Sequence, residues 1–153
     1  MSRSSPNAPT PDLPAPGDPF RRFGPVYHLI RQIPAGQVAS YGQVAFVADL
    51  GSARIVGRAM ASLPNGTDVP WHRVLNSQGK IAIRKDGKAD SRQQRLLTAE
   101  GVFFDRRGHV DFASVAWTGP SWAWLNENGY DVESLVAKSQ NLRRIGPWQR
   151  WNF

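Results

Sequence analysis

Ser40-Tyr41-Gly42-Gln43-Val44-Ala45 and, after Gly51, Ser52-Ala53-Arg54-Ile55-Val56-Gly57-Arg58-Ala59-Met60 form the stretch on which the fold turns. Each run opens on a serine, whose hydroxyl at a helix start accepts a hydrogen bond from a backbone amide two or three residues on. Gln43 stands three residues after Ser40, which is capping-box spacing, and Val44, Val47 and Ala48 supply an apolar stripe. That helix should stop at Gly51. Ser52 caps the next, Ala53 to Leu63, closed by Pro64 and the turn Asn65-Gly66. Two short helices joined by a glycine-containing turn predict a helix-turn-helix. Arg54 and Arg58, four apart, share one face of its second helix, as a recognition helix requires. Many capped helix pairs bind nothing, so the pattern needs support from elsewhere in the chain.

Upstream, Asp18-Pro19 marks a helix start, and Phe20, Phe23, Tyr27 and Ile30 recur at spacings of three and four up to Pro34-Ala35-Gly36. Tyr27 and His28 read as packing and surface residues. Residues 1–17 hold five prolines among small polar residues, so residues 1–18 are expected to be a disordered tail. Downstream, Val69-Pro70-Trp71-His72-Arg73-Val74 reads as a strand or strand-like loop, because Pro70 fixes its own φ and drives Val69 out of the helical region. Alone, this hexad reads as packing before it reads as a stacking and phosphate-holding site.

After the turn Asn76-Ser77-Gln78-Gly79, an extended run is expected over Lys80 to Ile83, then a basic loop from Arg84 to Lys88. Asp90 or Ser91 should cap a helix with Leu96 and Leu97 facing inward, ending at Gly101. Val102–Phe104 and Val110–Phe112 flank Arg106-Arg107-Gly108 as a hairpin. The predicted fold class is mainly α with a small β hairpin (α+β), a winged helix-turn-helix-like DNA-binding domain over residues 19–113. Residues 114–153 read as a C-terminal extension, a helix capped by Asp131 and bearing Val132, Leu135, Val136, Leu142 and Ile145, then the Trp-rich end 147–153 docked on the body.

The balance of 19 basic to 12 acidic residues gives a formal charge of +7. Residues 52–95 hold nine basic and three acidic residues, so +6 of it is concentrated there. Such a segment suits a phosphate-facing surface. The 153 residues include no cysteine, which excludes disulfides, thiolate nucleophiles and Cys-containing metal sites. Three well-separated histidines make a histidine metal site unexpected, and no metal or cofactor is expected. Without a membrane-length apolar run or a signal core, the expectation is a cytoplasmic, nucleoid-associated monomer.

Ser40-Tyr41-x-Gln43-Val44-Ala45, Ala53-Arg54-x-Val56-Gly57-x-Ala59-Met60, Pro70-Trp71-His72-Arg73-Val74 and Glu100-Gly101-Val102 together closely resemble, in order and spacing, the DNA-binding domain of the O6-alkylguanine-DNA alkyltransferases. In that family the residue between the proline and the His-Arg pair is the cysteine that takes the alkyl group. Here it is Trp71, so the chain resembles the alkyltransferase-like proteins, which recognise the same lesions without repairing them and hand them to nucleotide excision repair proteins.

The resemblance implies roles one residue at a time. Tyr41 would press on the phosphate beside a flipped nucleotide, with Ser40 and Gln43 in the same DNA-contacting segment. Arg54 would fill the gap left by the base. The helix bearing it would lie in the minor groove, small Ala53, Gly57 and Ala59 allowing close approach. Trp71 and Val74 would line the pocket for the base, and Arg84 would stack on or hydrogen-bond to the altered guanine. His72 and Glu100 match the pair that activates the cysteine in the enzymes and, with nothing to deprotonate, would be structural. Two positions depart from the family pattern. Arg58 stands where many members have a small residue, so the helix would either sit further out or add a phosphate contact. Leu63 replaces the asparagine common before the corresponding proline, which removes the polar support expected of that turn.

No catalytic residue follows, because dealkylation needs a soft ionisable nucleophile and an indole is not one near neutral pH. The expected partner is duplex DNA containing O6-alkylguanine. Two other readings stay open: a winged-helix transcription regulator reading base edges, and a DNA hydrolase or glycosylase using His72 and Glu100.

Overall fold

The structure is a computed structural model that describes residues 19–83 and 86–141. The expected tail, the Trp-rich end and Arg84 lie outside the described residues, as do Leu142 and Ile145. Helix α1 (Pro19–Ile30) is kinked at Phe23, two residues before the internal Pro25, which lacks an amide donor and crowds the preceding turn. Past the kink it buries Val26, Tyr27, Leu29 and Ile30. Tyr27 then donates its hydroxyl to the Ala59 carbonyl at 2.6 Å, tying α1 to α3.

The two serine caps form as the sequence predicts. Ser40 Oγ accepts the Gln43 amide at 2.9 Å to start α2 (Tyr41–Val47), and Ser52 Oγ accepts the Arg54 amide at 3.1 Å to start α3 (Ala53–Ala61). Helix α2 ends at Val47 rather than running to Gly51. Asp49 adopts the left-handed conformation (φ 57°), and its amide and that of Leu50 turn back onto the Phe46 and Ala45 carbonyls. Helix α3 likewise stops at Ala61, two residues short of Leu63, where the Ser62 hydroxyl donates to the Arg58 carbonyl at 2.7 Å.

The central hexad is only partly extended. Trp71–Arg73 is a single 3-10 turn, and only Val74–Leu75 (β2) is strand. It pairs in parallel with β1 (Ala39–Ser40), Ala39 opposite Val74, and Ala116 bridges Val38 beside it. No motif in the sequence announces this small parallel sheet. Lys80 to Ile83 contributes only the bridge Ile83–Ala89, and the expected wing hairpin contracts to one bridge, Phe104–Val110, around a turn held by Asp105.

Helix α4 (Ser91–Ala99) is capped by Asp90 and buries Leu97 completely, but Leu96 stays 42% exposed, contrary to its expected inward face. Short α5 (Phe112–Val115) and α6 (Trp122–Glu127) follow, neither marked by the sequence reading. Helix α7 (Val132–Asn141) then starts where Asp131 accepts the Ser134 amide. Trp117, Leu125 and Leu135 share one core with residues of α1, α2 and α3. A second cluster of Val38, Leu75, Ile81, Leu97, Val102, Val110 and Phe112 lies under α4 and the wing. No helix among the described residues is long and apolar enough to cross a membrane.

Candidate nucleic-acid interface

Arg54 and Arg58 stand exposed on one face of α3, with exposed Ala53 in its first turn. Between the two arginines Gly57 is half-buried, and a Cβ built on it would meet nothing within 4 Å. The fold therefore does not need a glycine there, although one inside a helix costs roughly 0.5–1 kcal/mol against alanine. What the missing side chain does provide is a shallow strip of helix backbone open to close approach from outside. Ala59 is not part of that strip. It lies fully buried on the Val56 side, because residues three apart share a helix face, and its small side chain packs inward.

Three further residues expected at the surface are interior. Ser40 is fully buried as the α2 cap. Gln43 is fully buried too, and its side chain does not complete the capping box; Nε2 donates to the Trp117 carbonyl at 2.9 Å, so it tethers Trp117 to α2. Val74 belongs to the main core rather than to a cleft wall. Nucleic acid reaches none of these three side chains in this conformation. Tyr41, the first residue of α2, is half-buried, and burial pushes its phenol above the ordinary value.

Trp71 separates two clefts. The larger, of about 530 Å3, runs from the α3 end (Met60, Ala61) along the Leu63-Pro64 loop to Asp90, the α4 cap, and Arg92 in the first turn of α4. The smaller, of about 440 Å3, has Arg31, Asp68, His72 and Arg73 on its walls. Both are of ligand-pocket size.

Behind Trp71 sits a clasp. Glu100 accepts from His72 Nε2 at 2.8 Å, from Arg73 Nη2 at 2.7 Å and Nε at 3.1 Å, and from the Gly36 amide at 3.1 Å. Arg73 Nη1 continues to the Ile33 carbonyl at 2.8 Å. Burial pushes the Glu100 carboxyl up, but the hydrogen bonds from Arg73, His72 and Gly36 outweigh it and hold the group at about 2. A carboxylate so fully engaged is a poor proton acceptor, and the arrangement suits fixing the 71–73 turn against the 33–36 loop. Sequence reasoning missed Gln93 here. Buried, it donates through Nε2 to the His72 and Val74 carbonyls at 3.1 and 2.9 Å, locking the turn to α4. It also missed Arg92 and Asp90, visible in the sequence only as charge and cap. Among the described residues no cluster could hold a metal ion.

Comparison with known proteins adds the following. The family described as "6-O-methylguanine DNA methyltransferase, DNA binding domain" matches residues 22–102. A "DNA base-flipping protein" of Vibrio parahaemolyticus is 41% identical over 93 residues, 60% of this chain and 91% of that protein. "Alkyltransferase-like protein 1" of Schizosaccharomyces pombe is 45% identical over 78 residues, 50% of this chain and 72% of that protein. The crystal structure of S. pombe Atl1 in complex with damaged DNA containing O6-carboxymethylguanine superposes with a TM-score of 0.57 at 35% identity, covering 63% of this chain and 94% of that one.

Proposed function

This chain belongs to the family of the 6-O-methylguanine DNA methyltransferase DNA-binding domain, and from that premise we propose that it is a non-catalytic sensor of O6-alkylguanine in duplex DNA. It docks α3 in the minor groove, flips the altered base toward Trp71, leaves the alkyl group in place and presents the site to nucleotide excision repair proteins. Residues 19–113 carry this activity, and residues 114–153 act as an accessory extension. The observation that carries the reading is Trp71. It stands where the family's acceptor cysteine would be, in a chain without any cysteine, and forms part of both cleft walls.

The energetics support recognition without chemistry. Flipping a base costs a few kcal/mol, less where alkylation has weakened its pairing. Stacking on an aromatic side chain returns ~1–3 kcal/mol per base. An arginine such as Arg54 in the vacated stack, with Tyr41 against the phosphate, offsets more, and phosphate contacts from Arg58 supply salt-dependent affinity. Arg84 completes the pocket in this reading. The open strip at Gly57 suits a groove only about 6 Å wide. Minor-groove insertion usually bends the duplex, and a bent, long-lived complex is itself a mark that another protein can find.

The test compares a duplex carrying one O6-methylguanine with its unmodified twin. Clearly tighter binding to the damaged duplex, recovered with its methyl group intact, is expected. Equal affinities, or a methyl group found on the protein, would overturn the reading.

A further inference from the structure

One side chain of α4 is laid over Trp71. The Arg92 guanidinium carbon stands 5.6 Å from the Trp71 ring centroid. Asp90 holds it there, accepting Arg92 Nη2 at 2.9 Å and Nε at 3.2 Å, while its Oδ1 also takes the Arg92 amide at 2.9 Å as the α4 cap. The Asp90 side chain is 15% exposed and that of Arg92 59%. The carboxylate is thus the anchored partner, and the guanidinium is the one presented to solvent. Both groups line the larger cleft, whose other walls include apolar Met60, Leu63 and Leu96. Arg92 Nη1 carries no hydrogen bond among the described residues.

We propose that Arg92 reads the charge of the O6 substituent. A carboxylate-bearing adduct is favoured over a neutral adduct of the same size. This inference rests on the lesion-binding reading and adds a specificity determinant to it. A guanidinium takes a carboxylate as a two-pronged, charge-assisted pair, and its contact with the indole fixes the plane it offers. Asp90 tempers the preference. Its ion pair with Arg92 is solvent-exposed on the arginine side, and exposed pairs of this kind are weak enough to be exchanged for a ligand carboxylate. Arg54 is placed differently. It stands seven positions before Ala61, about 10 Å along α3, and among the described residues that line the cleft the positive charge comes from Arg92.

The experiment measures dissociation constants for duplexes carrying O6-carboxymethylguanine or O6-carbamoylmethylguanine, its neutral isostere. The wild-type protein should bind the carboxylate form roughly fivefold more tightly. Arg92→Gln should bring the ratio to one while damaged DNA remains preferred over undamaged. Asp90→Asn keeps a capping side chain, removes the competing charge and should raise the ratio. Arg95→Gln removes the same charge from the same helix away from the cleft, and should leave the ratio unchanged. A wild-type ratio near one, a ratio that survives Arg92→Gln, or an equal fall in Arg95→Gln would overturn the inference. Failure to prefer either adduct over undamaged DNA would instead sink the lesion-binding reading beneath it.

Discussion

Replacing Glu100 with glutamine tests the clasp behind Trp71 through its charge while keeping its shape. A carboxyl held at about 2 instead of 4.5 corresponds to about 3 kcal/mol favouring the ionised form in the folded protein. Removing one partner of a fully buried ion pair costs roughly 3–5 kcal/mol. Here Glu100 is 16% and Arg73 18% exposed, so water screens part of the interaction and the expected loss is about 2 kcal/mol. For a chain of 153 residues that is a melting-temperature drop of roughly 4–8 °C.

The pH dependence is the sharper signature of the same substitution. Because folding lowers the Glu100 carboxyl, its contribution is full above about pH 4.5 and is lost as pH falls toward 2. Urea unfolding of wild type and Glu100→Gln, followed by tryptophan fluorescence, should show a constant stability gap from neutral pH to about 5. The gap should narrow steadily below that. A gap under about 0.5 kcal/mol at pH 7, the range of ordinary surface substitutions, or one that stays unchanged from pH 6 to pH 3, would refute the clasp argument.

Arg54→Ala should weaken binding to O6-methylguanine duplex about tenfold or more, a scale set by one charge-assisted contact. Its melting temperature should not move, because Arg54 is exposed at the start of α3; fluorescence anisotropy beside a thermal melt separates the two. Leu125→Ala, which deletes a fully buried side chain of the extension from the main core, should cost roughly 2–5 kcal/mol of stability. Lesion affinity measured well below its melting temperature should stay unchanged.

The legible part of the fold is the part written in short-range chemistry. Ser40, Ser52, Asp90 and Asp131 each sit two or three residues from the amide they cap, so the sequence located three of these helix starts and narrowed the fourth to Asp90 or Ser91. The four motifs with Trp71 in place of cysteine, the local +6 charge and the absence of any thiol were equally fixed by the chain itself. Helix ends were less legible, because a left-handed Asp49 and a serine back-bonded to its own helix shortened α2 and α3 without a glycine or proline to announce it.

What only the tertiary structure decided is where polar side chains go once the chain is folded on itself. Gln43 has capping-box spacing, yet its amide bonds Trp117, 74 residues away, because burial made that carbonyl the available partner. Ala59 and Gly57 look alike as small residues, but the helix turn points one at the core and leaves the other open. Arg92 meets Trp71 only because the 71–73 turn and α4 are drawn together by Glu100 and Gln93. Caps and motifs are matters of spacing along the chain; these partnerships are matters of distance across it.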